Sequence, residues 1–388
     1  MTNKEQSPHI VFITSGHHPF SGRLFSNELK SLRGLYDQLT VVGPYEKRES
    51  VVDGIRVVGV RKYSSRYNRF SALSELYKTS LANEPDIVHC HEPDSLFVAI
   101  KMKKLLPNLK VIYDCHEFHP ESFAESFPPV ARLLASVAIR AYENRLVAKA
   151  DAVITVNEKL EERFRQINKR VCVLPNYPRM DFLGKRVRSQ EVFSGSLVRL
   201  IYAGGLSEDR GLFRMLEATK RVNDLFGAEL VLVGKCYSPK IKRRLDSWLA
   251  DEQTHTKVKY RGYLPHEETL SELLRADVGL ILIGGRRRYD WGEPIKYFEY
   301  SGAGLPVIMS DLPAKRRLVE ENQNGLLVDC KKTTDTVRAV EYLHEHQEDA
   351  RGMSVRSRRA FLEKYNWERV QERLFVLYRL LNEERNSD

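Results

Sequence analysis

Apolar residues follow two rhythms that alternate along the chain. Short, nearly continuous apolar runs occupy residues 9–14, 39–42, 85–91, 111–116, 151–156 and 171–174, the pattern of strands buried on both faces. Between them apolar positions recur every three or four residues, as in Leu24, Phe25, Leu29 and Leu32, or Leu73, Leu76, Tyr77 and Leu81. That spacing predicts helices, and strands alternating with helices predict a doubly wound parallel sheet. Residues 51–60, with Asp53-Gly54 at the turn, read as an edge hairpin. After Pro175, Pro178 and the polar stretch 184–196, which reads as a linker, the pattern restarts with strands at 197–202, 230–234, 258–264, 278–283 and 325–328. A last helical pattern runs through Trp367, Leu374, Leu377, Tyr378 and Leu381. The expected domains are 1–186 and 187–365, with 366–388 as a closing helix.

Length agrees with that division, since 388 residues exceed what one hydrophobic core usually supports. The net charge of +10 suits an acidic ligand or surface, whether nucleotide, anionic lipid or nucleic acid, but no nucleic-acid recognition motif accompanies it. Five scattered cysteines without metal-ligand spacing argue for a reducing compartment and against a disulfide framework or structural zinc. No apolar run is long enough to span a bilayer, and the N-terminus lacks a signal-peptide core, so a cytoplasmic protein is expected.

Candidate chemistry concentrates in residues 289–308, which read as loop, short helix and strand. Pro294 suits the first turn of a helix, leaving the amides of Ile295 and Lys296 open at its N-terminus. Those amides and the Lys296 ammonium form an anion site for which phosphate is the natural guest. Glu299 lies about one turn further on, where its oxygens can bridge two vicinal hydroxyls. Diphosphate and ribose are the two halves such a helix would hold. In the first half, two strands end in histidine, His91 and His116, each followed by glutamate, Glu92 and Glu117; carboxyl ends of parallel strands are where ligands sit. A metal reading requires His89, His91, His116, His119 and Glu117 to converge, and no rigid histidine pair anchors it.

Pro-x-Lys-x-x-Glu-Tyr followed by a small-residue run and Gly-x-Pro-Val resembles the donor-site signature of the family-4 retaining glycosyltransferases of GT-B fold. Pro85-Asp-x-Val-His-x-His91 and Tyr113-Asp-x-His-Glu117 are similar to two strand ends of that family, and the His-x-Pro-like loop holding His17, Pro19 and Arg23 to another of its segments. The resemblance covers residues 9–381. It implies two Rossmann-like domains facing a cleft, with the last helix crossing back to the first domain. It further implies transfer of a sugar from a UDP- or GDP-sugar to a glycan, lipid-linked or small-molecule hydroxyl, with retention and with neither metal nor other cofactor. His116, Arg210 and Lys296 would be catalytic. Gly204, Gly205, Gly234, Arg261, Gly262, Glu293, Pro294, Ile295 and Glu299 would hold the donor, while His17, Arg23, His91 and Glu117 would meet the acceptor or diphosphate. Three places depart from the family pattern: Ser21 stands where a subgroup of the family has an aspartate two residues before the retained Arg23, Gly205 stands where an arginine is usual, with Arg210 at the following lysine position, and Trp291 stands where many members have a glutamate near the sugar. The Arg286-Arg287-Arg288 run would share the lost positive charge.

Two further readings bear on partners. The pattern through Val130, Leu133, Leu134, Val137, Ala141, Tyr142 and Leu146, with Arg132, Arg140, Arg145 and Lys149 around it, fits a basic amphipathic helix on an anionic membrane, at the inner face of the cell membrane. A helix packed on the core with a solvated face is the favoured expectation. Rival functions are a sugar-nucleotide epimerase on the same architecture and a non-catalytic nucleotide- or nucleic-acid-binding protein.

Overall fold

The computed structural model describes residues 7–62, 69–183, 192–195, 197–251, 257–285 and 288–387. The chain divides into two compact units, Met1–Asn176 with Trp367–Asp388, and Tyr177–Asn366. Most of the linker stretch, residues 184–191 and 196, lies outside the described residues.

The first unit is built on an eight-stranded sheet: β1 (Ile10–Ile13), β2 (Leu39–Pro44), β3 (Glu49–Val52), β4 (Ile55–Val60), β5 (Ile87–Cys90), β6 (Lys110–Cys115), β7 (Ala152–Thr155) and β8 (Val171–Val173), in the order β3-β4-β2-β1-β5-β6-β7-β8. All neighbours are parallel except β3 and β4, which form the hairpin with Asp53 and Gly54 at positive φ in its turn. The central strands β1, β5, β6 and β7 are buried throughout, which explains their unbroken apolar runs. The helix Trp367–Ser387 belongs to this unit. It buries Trp367, Leu374, Leu377, Tyr378 and Leu381, and Trp367 Nε1 donates to Ser31 Oγ at 2.8 Å.

After β1 the chain winds as a π-helix over Gly22–Leu29 before one α-helical turn, Lys30–Leu32. The sequence rhythm predicts an ordinary helix here. The wider winding brings residues five apart into line, and Arg23 Nε lies 3.1 Å from Glu28 Oε1 inside the unit.

The helix Arg132–Val147 corrects the core-packed expectation. Leu146 and Val147 are buried, but Val130 is 91%, Leu133 76% and Leu134 75% exposed, and Val137 and Tyr142 are exposed too. The apolar positions fall on more than one face, and only the C-terminal turn reaches the core.

The second unit holds a six-stranded, wholly parallel sheet: β9 (Val198–Ala203), β10 (Ala228–Val233), β11 (Val258–Gly262), β12 (Val278–Ile281), β13 (Val307–Ser310) and β14 (Gly325–Val328), in the order β11-β10-β9-β12-β13-β14. Its strand order reverses beside β9, the place where such sheets bind ligands at their carboxyl ends. Both units are therefore doubly wound α/β sheets. All five cysteines are free thiols. No helix among the described residues is long and apolar enough to cross a membrane.

Candidate active site

In the second unit, β9 ends at Gly204 and Gly205, and two cations converge on that turn. A Cβ on Gly204, which has a φ of +143°, would lie 2.6 Å from Lys296 Nζ, and one on Gly205 would lie 3.0 Å from Arg210 Nη1, so both side chains lie directly against the turn. Gly234 and Gly262 end the neighbouring strands. Gly204 N donates to Val233 O at 2.8 Å and Gly234 N to Gly262 O at 2.6 Å, which holds three strand ends together.

The helix Ile295–Gly302 begins one residue later than the sequence suggests, with Pro294 as its N-cap rather than in its first turn. Tyr297, Phe298 and Tyr300 bury its inner face, and the Tyr300 hydroxyl accepts from Ala203 N at 2.9 Å. The helix is thereby tied to the end of β9. Gly279 on β12 leaves room for the Tyr300 ring, since a Cβ there would lie 2.3 Å from it. Lys296 Nζ sits 5.0 Å over the Tyr202 ring. Burial, and then the charge of Arg210, lower the Lys296 pKa to about 8. Burial raises Glu299, against the pull of Lys296. Each is a charge held in waiting for a counter-charge.

Arg210 keeps its proton although burial opposes it, because the hydroxyls of Tyr202 and Tyr289 face it. Tyr289 also donates to Asp209 Oδ2 at 2.6 Å, and Ser207 donates to Asp209 Oδ1 at 2.5 Å. Lys315, only 1% exposed, grips the far side: its Nζ donates to the carbonyls of Tyr289 and of Gly292, the latter at 2.6 Å. Glu293 pairs with Arg317 and Arg261 with Glu272 at 3.1 Å, so both are engaged away from Lys296. The Arg286-Arg287-Arg288 run lies outside the described side chains.

In the first unit, Arg23 is turned inward. Its Nε and Nη2 donate to the two Asp114 oxygens at 2.7 and 3.0 Å, and Nη1 donates to Leu174 O at 3.0 Å. An arginine so committed is a structural cation and not a diphosphate contact. His91 is buried as well, stacked on His89 with ring centroids 4.9 Å apart. Among the described residues the side chains close enough together to hold a metal ion are His89 and His91 with Glu28 and Asp114, whereas His116, His119 and Glu117, which a metal reading would also require, are not part of that group. Arg23 already supplies the positive charge there. It holds Asp114 well below the usual carboxylate range in spite of burial, whereas burial and Asp114 push Glu28 well above it.

Nearer the surface, His17, His116 and Glu92 meet. His17 Nδ1 lies 2.5 Å from Glu92 Oε1, and its Nε2 lies 3.4 Å from His116 Nε2. Glu92 caps the helix Pro93–Lys103 and also accepts from Thr14 Oγ1 at 2.6 Å, Ser15 N at 3.0 Å, and the amides of Gly16 and His17 at 3.2 Å each. Burial lowers the His116 pKa to about 3, so its imidazole is neutral. Glu117 is exposed beside it.

Residues 9–177 match glycosyltransferase family 4, and residues 198–346 match glycosyl transferases group 1. The chain belongs to the family-4 glycosyltransferases. It is 23% identical over 357 residues to spore coat protein SA of Bacillus subtilis (strain 168), covering 84% of this chain and 85% of that one. Sucrose-phosphate synthase from Thermosynechococcus elongatus has a similar fold, with a TM-score of 0.74 at 16% identity over 96% of this chain and 99% of the other. Anabaena HepE, solved with UDP, gives 0.68 at 14% identity over 95% and 99%. This is the GT-B architecture of glycosyltransferases.

For a family-4 glycosyltransferase the most telling residues to which no role was assigned from sequence are Glu92 and Lys315. Glu92 had a readable signal: Glu-Pro-Asp-Ser puts an acceptor before a proline-started helix, with Ser95 at the third position completing a capping box. Lys315 had none, since nothing distinguishes it in sequence from the exposed Arg316 and Arg317 beside it.

Proposed function

We propose that this glycosyltransferase moves a sugar, with retention of configuration and without a metal or other cofactor, from a UDP- or GDP-sugar to a hydroxyl of a glycan, lipid-linked or small-molecule acceptor, in polysaccharide biosynthesis. The unit Tyr177–Asn366 holds the donor, and the unit Met1–Asn176 with Trp367–Asp388 the acceptor. One observation carries the reading: Lys296 and Arg210 converge on the Gly204-Gly205 turn at the open end of the helix Ile295–Gly302, with Glu299 on the same helix. Two cations and free amides at one point suit the two charges of a pyrophosphate and stabilise the negative charge that grows as it departs. Removing one such donor typically costs about 10²–10³ in rate. Glu299 takes the ribose hydroxyls, and the strand-end backbone at Gly234 and Gly262 lies beside the base. Neutral His116 donates to, or accepts from, the sugar.

Contact with the inner face of an anionic membrane is part of the proposal. Its support is the exposed Val130, Leu133, Leu134 and Val137 beside the exposed Arg132, Arg145 and Lys149. The experiment is a panel of UDP-, GDP- and ADP-sugars scored by thermal stabilisation and slow sugar release, repeated with vesicles containing anionic lipid. Stabilisation by at least one uridine or guanosine donor, and co-sedimentation that salt reverses, are expected. No response to any nucleotide sugar would remove the donor-site reading, and failure to sediment would remove the membrane contact.

A further inference from the structure

We propose that Tyr202 and Tyr289 are positioning residues for the diphosphate, acting through Arg210, which they hold against the Gly204-Gly205 turn without cancelling its charge. This rests on the donor-site reading above, and every residue it involves belongs to the unit Tyr177–Asn366. The physical problem is one of like charges. Lys296 and Arg210 lie against the same turn, and the charge of Arg210 helps to lower the Lys296 pKa. Two cations so close repel each other, and a long side chain turns out to solvent unless something holds it. A carboxylate would be the direct remedy, but among the described residues none pairs with Arg210. The groups that face its half-buried guanidinium are the hydroxyls of Tyr202 and Tyr289.

Both hydroxyls have their own protons committed elsewhere. Tyr202 is fully buried, and burial pushes its pKa up to about 12, so it keeps its proton and donates it to Gly205 O at 3.0 Å. Tyr289 donates to Asp209 Oδ2 at 2.6 Å. Asp209 is fixed in turn, because its other oxygen accepts from Ser207 Oγ at 2.5 Å and its carbonyl accepts from Gly284 N at 3.0 Å. Lys315 secures the Tyr289 carbonyl. What each hydroxyl has left to offer Arg210 is therefore an oxygen lone pair on a neutral group. Such a pair orients the guanidinium as a carboxylate would, yet leaves its positive charge for a ligand. Tyr202 also serves the second cation, since Lys296 Nζ lies 5.0 Å over its ring, so one side chain steadies both.

The test titrates UDP and UMP, and GDP and GMP, into the full chain. Tyr289→Phe keeps the ring and loses the hydroxyl, and it is expected to weaken diphosphate binding about fivefold or more while monophosphate binding stays within about twofold. The same substitution made on Arg210→Ala is expected to change nothing further, because the group it positions is gone. Tyr202→Phe keeps the ring beneath Lys296 and is expected to behave alike, so it carries the test should Tyr289→Phe fail to fold. A general loosening of the fold would instead weaken both classes of nucleotide and would act equally with or without Arg210. That outcome, a full diphosphate preference in the folded tyrosine variants, or Arg210→Ala with its preference intact would overturn the positioning role alone. A wild-type protein that prefers neither diphosphate to its monophosphate would overturn the donor-site reading, and the positioning role with it.

Discussion

Lys296 is the residue on which the proposed donor site turns, because its charge is poorly solvated in the protein alone. Burial and Arg210 have already brought its pKa from the usual 10.5 down to about 8. The sign follows: below pH 8 the ammonium is present and meets the diphosphate, and above it the neutral amine offers far less. Donor affinity should therefore fall about tenfold between pH 7 and 9, beyond any decline that Lys296→Ala shows over the same range. Nucleotide affinity measured at several pH values checks this, and equal slopes in both proteins would contradict it. Arg23 shows the opposite case. Its sequence position suggests a ligand contact, but its buried guanidinium gives three of its five N–H donors to Asp114 and Leu174 and is held inward. Sequence shows that a charge exists and not which partner takes it, so the inward turn of Arg23 and the burial of Glu28, Asp114 and His91 were not legible.

At the scale of elements, the strands were legible because a strand buried on both faces writes its burial directly into an apolar run, as β1, β5 and β6 do. The hairpin was legible from Asp53-Gly54, and the helix Ile295–Gly302 from Pro294, to within one residue. The π-helix was not, since an extra residue per turn leaves no clear mark in apolar spacing. Nor was the exposure of the helix Arg132–Val147, whose apolar residues look the same whether or not anything covers them. The turn before the donor helix depends on a neighbouring element, through the grip of Lys315 on the Tyr289 and Gly292 carbonyls. Lys315→Met keeps the apolar stem and removes both of these hydrogen bonds, at a cost of about 1–3 kcal/mol. Nucleotide binding is expected to weaken about tenfold, which corresponds to about 1.4 kcal/mol, and Lys315→Arg should recover part of it. Unaltered affinity in Lys315→Met would show that the turn holds its shape unaided.

At the scale of the whole molecule, two sheets with separate cores carry two different kinds of chemistry. The second unit gathers cations at glycine-ended strands, which suits an anion. The first gathers histidines and carboxylates at β1, β5 and β6, which suits hydroxyls and protons. Family membership was legible from short motifs because those motifs sit at strand ends, where backbone geometry restricts the choice of residue. The central claim, that the tip of the helix Ile295–Gly302 holds a diphosphate, is tested most directly by calorimetric titration of UDP against UMP, and GDP against GMP, into wild type and Lys296→Ala. The account predicts that wild type prefers one diphosphate to its monophosphate by about tenfold or more, and that Lys296→Ala loses most of that preference while still binding the monophosphate. A folded Lys296→Ala protein that keeps the full preference would contradict it.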